Sequence, residues 1–177
     1  KKLSINKKKV QKKLNNFKKI SQCRLCNSKK IRQVHDFGLI PIGNNLQKYR
    51  FQSLNCKKFP LSLMQCLACN HFQLSISVNP RILYAKNYTY LTGVTKTFKN
   101  HFNDYSHFII KKCKLKDGSL ILDIGSNDGT CLSYFKKNKM KVIGIDPAKK
   151  PSKIANDKGI KTINDFFNKK ISINIKE

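Results

Sequence analysis

The chain has no tryptophan, only four arginines and only nine acidic residues among its 177 positions. No apolar run approaches the roughly 20 residues that a membrane-spanning helix needs. Residues 1–19 also lack the apolar core of a secretory signal, so a soluble, cytoplasmic protein with no membrane partner is the expectation. The first residue is not methionine, which leaves a short targeting segment open. The shortage of arginine counts against sequence-specific nucleic-acid recognition, which leans on guanidinium forks to base edges and phosphates. The shortage of acids leaves 37 Lys+Arg against 9 Asp+Glu and a net charge of +28. A charge of that size attracts polyanions without selecting among them, and a general drift toward Lys, Ile and Asn explains it equally well. Missing tryptophan does not prevent folding, because 11 Phe and 19 Ile in a 40% hydrophobic sequence supply a core.

Seven cysteines are present, an odd number and unevenly spaced, which argues against a disulfide framework and for reduced thiols. Cys23-Arg-Leu-Cys26 and Cys66-Leu-Ala-Cys69 form two Cys-x-x-Cys pairs with 39 residues between them. A two-residue spacer lets both sulfurs of a pair face one ion, and two pairs complete the four-sulfur tetrahedron of structural zinc. Such a shell leaves no ligand position for a substrate. Iron–sulfur or redox chemistry and two unrelated pairs are the competing explanations. Cys56 lies between the pairs without a partner at ligand spacing, and His71 is read as a surface or packing residue.

Three segments follow from the patterning. Residues 1–20 form a lysine-rich basic leader in which Ile5, Val10, Leu14, Phe17 and Ile20 permit an amphipathic helix. Residues 21–80 carry the cysteine pairs and turn-forming Gly38, Pro41, Gly43 and Pro60; short strands around a metal are expected, because so small a module needs a staple. Residues 81–177 alternate between helical and strand patterns. A helix is expected over 97–112, a strand over 119–124 buried on both faces, a helix to about 138, a strand over 140–146, a helix over 152–158 and a strand over 160–163. The tail, 168–177, offers one more strand. The fold class is therefore α/β: a small zinc-binding module followed by an incomplete Rossmann-like domain with a mostly parallel sheet.

The end of the first strand carries the second chemical signal. In Asp123-Ile-Gly-Ser-Asn-Asp-Gly129, Gly125 allows a tight turn and close approach of a ligand, and Gly129 allows close passage at the helix start. A dinucleotide site would want a third glycine and a helix N-terminus free for pyrophosphate. Asn127 and Asp128 stand there instead, and the carboxylate would repel pyrophosphate. A neutral or cationic nucleoside such as S-adenosylmethionine suits the turn better. Asp146, 23 residues beyond Asp123, stands where a second-strand acid receives two ribose hydroxyls.

Taken together, these motifs resemble the sugar C-methyltransferases, S-adenosylmethionine-dependent enzymes with an N-terminal zinc-binding domain and a class I methyltransferase domain. The resemblance runs from Cys23 to about Phe167. Besides the cysteine pairs and the glycine turn it rests on Asp36-Phe-Gly38 with Pro41, Phe59-Pro-Leu61, Tyr88-Thr-Tyr90, His101-Phe102, Gly144-Ile-Asp-Pro147, and Gly159-Ile-Lys-Thr162 with Phe166-Phe167. It implies a cofactor cleft using Asp123, Gly125, Asn127 and Asp146. It also implies a nucleotide-linked keto-deoxysugar as substrate, with Tyr88 or Tyr90 near the sugar, unranked. The chemistry implied is proton abstraction beside a ketone, giving an enolate-like carbon that attacks the cofactor methyl group. Family members continue into a C-terminal domain with a histidine-containing catalytic segment, which none of His35, His71, His101 and His107 matches. His101 is expected in helix packing or near the cleft. A chain lacking that segment is expected to be inactive alone, or to await a missing or separate C-terminal piece. A non-enzymatic zinc module with a vestigial cofactor turn and a basic zinc-ribbon nucleic-acid binder are the alternatives.

Overall fold

The computed structural model describes residues 16–85 and 88–176. They form two compact units, one built from residues up to 40 and 58–79, the other from 41–57 and from 80 onward.

The first unit is antiparallel. Strand β1 (Phe17–Lys19) pairs with β5 (Ile76–Val78), and β2 (Ile31–Pro41), β3 (Lys58–Cys66) and β4 (Phe72–Leu74) form a three-stranded sheet in that order. The end of the expected basic leader is thus a strand and not a helical turn, while its residues 1–15 lie outside the described residues. The apolar interior is small. Phe59 and Ile76 are its large buried side chains beside Cys23 and Cys66, and Phe17 meets Phe59 edge-on at 6.2 Å.

In the second unit a short helix α1 (Arg50–Leu54) comes first, then a π-helical turn at Arg81–Ala85 and a 3-10 turn at Thr92–Val94. Helix α2 (Lys96–Lys112) starts where the Thr95 side chain accepts a hydrogen bond from the Phe98 N–H at 3.3 Å, a standard N-cap. There follow β6 (Leu120–Ile124), α3 (Thr130–Lys137), β7 (Lys141–Ile145), α4 (Lys149–Asp157), β8 (Thr162–Ile163) and α5 (Lys169–Lys176). The strands are parallel in the order β6-β7-β8, with Leu120 opposite Lys141 and Gly144 opposite Thr162. Leu132 of α3, Ala155 of α4 and Ile160 form the core and pack against Ile121 and Val142. This is the parallel α/β arrangement of a class I methyltransferase half-sheet, preceded by a cysteine cluster.

Two expectations fail here for identifiable reasons. Strand β6 is not buried on both faces: Leu120 and Ile124 are 51% and 57% exposed. It is an edge strand, and the core of α3 and α4 packs on the side that carries Ile121. The tail is a helix and not a strand. Ile171, Ile173 and Ile175 alternate like a strand, but the Asn168 side chain caps the turn by accepting from the Ile171 N–H at 3.1 Å, and Ile171 is buried.

Candidate functional site

Cys23, Cys26, Cys66 and Cys69 converge, with all four sulfurs within 4.8 Å of one another. Cys23 Sγ lies 3.7 Å from Cys69 Sγ, and Cys26 Sγ lies 3.6 Å from Cys66 Sγ. A tetrahedron with zinc–sulfur bonds of about 2.3 Å has edges of about 3.8 Å, so the sulfurs already stand at the spacing one zinc ion requires. The two pairs are built alike. The Leu25 and Ala68 N–H groups each point at the first sulfur of their pair at 3.4 Å. Asn27 and Asn70, at φ 59° and 60°, close each turn by donating to the Cys23 and Cys66 carbonyls at 3.0 Å. Asparagine tolerates that left-handed backbone better than most residues. Sequence inspection had the signal in the repeated Cys-x-x-Cys-Asn and did not use it.

It also missed Gln73, which is buried on β4. Its Oε1 accepts from the Arg24 N–H at 2.8 Å, and its Nε2 donates to the Gln22 carbonyl at 3.0 Å. That amide holds the first cysteine turn from both sides. The packed thiols titrate unequally. Burial raises the Cys66 thiol, but the Ala68 and Cys69 N–H groups and neighbouring sulfurs outweigh it and bring the group down to about 6. At Cys69 the His71 N–H lowers the value, yet the surrounding sulfurs and burial push it up to about 12. Metal binding therefore finds Cys66 readily deprotonated and must displace the proton of Cys69.

The second cluster lies at the C-terminal end of β6 and β7. Two cavities meet at Gly125. The smaller, about 370 Å³, is lined by Thr92, His101, Phe102, Tyr105, Asp123, Ser126 and Cys131 as well as Gly125. The larger, about 440 Å³, includes Tyr84, Tyr88, Asn127, Asp146 and Phe166 in its walls. Gly125 sits at φ +87°, and a Cβ built there would meet no protein atom within 4 Å. The missing side chain leaves open space at a residue that lines both cavities.

The acids around these cavities differ in how far the protein satisfies them. Asp146 accepts from the Asn127 N–H at 2.9 Å and the Ala148 N–H at 2.7 Å, one bond on each oxygen. Each oxygen retains a lone pair for a ligand hydroxyl. Asp123 is held above the usual carboxylate range by burial and by the Asp146 charge. Cys131 is pushed up to about 12 by burial and by Asp123, so it is a thiol here. Asp128 is buried but committed: its oxygens accept from Thr130 N at 3.3 Å, Thr130 Oγ1 at 2.7 Å, Gly93 N at 3.2 Å and Lys158 Nζ at 3.3 Å.

Of the residues expected to contact a cofactor, Gly125 lines both cavities, Asp123 the smaller, and Asn127 and Asp146 the larger. Gly129 is not among the lining residues of either; a Cβ there would press on Ala155 and Ile160 at 3.1 Å. Tyr88 lines the larger cavity, its hydroxyl kept above the usual phenol value by burial and by Asp146. Tyr90 is 46% exposed and touches the Tyr88 ring edge-on at 6.4 Å. His101 stacks on Tyr105 at 6.2 Å and faces the smaller cavity.

Comparison with known proteins agrees with this layout. Residues 23–84 match a family described as "Putative zinc binding domain". Over 144 residues the chain is 29% identical to the C-methyltransferase NovU of Streptomyces niveus, covering 81% of this chain. The chain spans about a third (34%) of that relative's length. Two structures of the plantazolicin methyltransferase BpumL with SAH, one also holding a desmethylPZN analog, are 25% and 26% identical over 39% and 41% of this chain. The match covers 28% and 30% of those chains, with TM-scores of 0.30 and 0.31. The chain thus has a methyltransferase-like α/β unit and an N-terminal four-cysteine site able to hold zinc.

Proposed function

We propose that this chain is the zinc-binding and cofactor-binding part of an S-adenosylmethionine-dependent C-methyltransferase. The observation that carries the proposal is the pair of cavities that share Gly125 in their walls, with Asp146 lining one and Asp123 the other. Asp146 would hold the ribose hydroxyls in the larger cavity, and Asp123 would face the cationic amine of the amino-acid tail in the smaller. Aromatic Phe102 and Tyr105 line that end. S-adenosylmethionine supplies an electrophilic methyl group when bound. The four cysteines hold the first unit in shape and take no part in transfer, because a four-sulfur shell around zinc is closed.

The substrate class is proposed from the motif resemblance and the C-methyltransferase relative: a nucleotide-linked keto-deoxysugar. Tyr88 is the better placed of the two tyrosines to meet it, since Tyr88 lines the larger cavity and its raised value keeps the phenol protonated. A neutral phenol donates a hydrogen bond to a ketone oxygen and so stabilises charge developing there.

Calorimetric titration of the zinc-loaded chain with S-adenosylhomocysteine tests the proposal. Saturable one-to-one binding is expected, weakened about 100-fold or more in Asp146→Ala, because two hydrogen bonds to a carboxylate are worth about 3 kcal/mol or more. Absence of binding by the intact fold would leave the four-cysteine unit as a non-enzymatic zinc module.

A further inference from the structure

Asn127 stands among the residues expected at the cofactor and Asp128 beside it, and both side chains are bonded to another segment of the protein. The Asn127 carboxamide pairs with the backbone of a distant segment in both directions: Oδ1 accepts from the Thr92 N–H and Nδ2 donates to the Tyr90 carbonyl, each at 3.0 Å. The neighbouring carboxylate continues the row, accepting from the Gly93 N–H at 3.2 Å. Lys158 and Thr130 hold that carboxylate in place from behind. Gly93 fits under it only because it has no side chain. A Cβ there would lie 2.3 Å from Thr130 Oγ1 and 2.7 Å from Asp128 Oδ2.

The segment held this way, residues 88–93, contributes to both cavities, through Tyr88 to the larger and Thr92 to the smaller. Asn127 is also tied to the opposite wall, since its own N–H donates to Asp146 Oδ2 at 2.9 Å. We infer that Asn127 and Asp128 are positioning residues that seat residues 88–93 as a strap shared by the two cavities, fixing Tyr88 and Thr92 relative to Asp146. The consequence for ligand affinity rests on the proposed cofactor role of the cleft; the seating itself does not.

The test uses residue-resolved amide hydrogen exchange on the zinc-loaded full chain, with S-adenosylhomocysteine affinity as a second readout. Asn127→Asp keeps a residue tolerant of the φ of 51° at this position, but it replaces the donor facing the Tyr90 carbonyl with a repelling oxygen. Gly93→Ala blocks seating from the other side without touching Asn127. In both variants the Thr92 and Gly93 amides are expected to exchange about tenfold faster, the effect of losing one such bond. The Gly144 and Asp146 amides, which bond to the Lys161 and Ile163 carbonyls, are expected to keep their rates. Unchanged exchange at Thr92 and Gly93 would overturn the inference. So would equal acceleration at all four amides, because that is loss of the whole fold. Homocysteine-nucleoside affinity is expected to drop about tenfold in Asn127→Asp. Released strap amides with unaltered affinity would refute the shared-wall role. Released strap amides in a chain whose parent binds no S-adenosylhomocysteine would confirm the seating and sink the cofactor proposal alone.

Discussion

Removing zinc from the four-cysteine site is expected to unfold the first unit, and the structure says why the effect should be large. Its buried large apolar side chains other than cysteine are Phe59 and Ile76 among the described residues. At about 1.5–3 kcal/mol each, they contribute about 3–6 kcal/mol. A structural zinc supplies on the order of 10–16 kcal/mol, which exceeds that apolar contribution. The assay is thiol accounting by mass spectrometry. In the zinc-loaded chain, Cys23, Cys26, Cys66 and Cys69 are expected to resist alkylation while exposed Cys113 reacts. A strong chelator should release one zinc per chain, expose all four ligands together, and abolish exchange protection in β3 and β4 while β6 and β7 keep theirs. Cys26→Ser should do the same without chelator. Retention of one zinc per chain by Cys26→Ser, or a chelated chain whose β3–β4 amides remain protected, would refute the reasoning.

Two further outcomes follow from the second unit. Asp128 has its carboxyl held below the ordinary value: burial opposes this, but the Thr130 hydroxyl and the Lys158 ammonium outweigh it. Its stabilisation is therefore fully present above the ordinary value of 3.8 and is lost as pH falls through the lower folded-state value. Urea unfolding across the acid range should show this loss in the parent and not in Asp128→Asn, which should already be less stable by about 2–4 kcal/mol near neutrality from unsatisfied buried donors; parallel pH profiles would count against it. Gly129→Ala meets both a φ of +72° and contacts of 3.1 Å with Ala155 and Ile160, so a loss of about 2–3 kcal/mol in the same assay is expected, with a loss below 0.5 kcal/mol contradicting it.

The sequence exposes features whose signal is local. Paired cysteines two residues apart face one ion by spacing alone, and the run from Leu120 through Gly129 to Ile145 reads as strand, turn, helix and strand because the apolar period switches where the glycines stand. Features that depend on distant partners do not show. Asn127 lies 35 residues from the Thr92 amide it accepts from, and Gln73 lies 49 from the Arg24 amide, so neither carries a mark in its neighbourhood. The exposure of β6 is hidden for the same reason: an apolar strand looks alike whether both faces are covered or one. At the tail the alternation of Ile171, Ile173 and Ile175 was misleading because one polar residue, Asn168, decides where a helix begins.

The charge of the chain and the charge of its cleft have opposite signs, and distance separates their effects. The net charge of +28 acts on any ligand still in solution, but at physiological salt that field decays over about 8 Å. Inside the cleft stand Asp123 and Asp146, and burial together with the Asp146 charge raises the cost of charging Asp123, which a cationic group beside it would relieve. In the proposed function the two scales divide the work. A nucleotide-linked sugar carries phosphates and would be drawn by the lysine-rich surface, whereas the ammonium of S-adenosylmethionine would be met by Asp123 and its ribose by Asp146 after entry. Raising salt should then slow capture of the phosphate-bearing substrate while leaving cofactor affinity nearly unchanged, because partly buried carboxylates are screened far less than a surface field. On that proposal the cofactor would be selected by those two acids and by the open space at Gly125, since the Asn127 and Asp128 side chains of the turn are already spent on the strap.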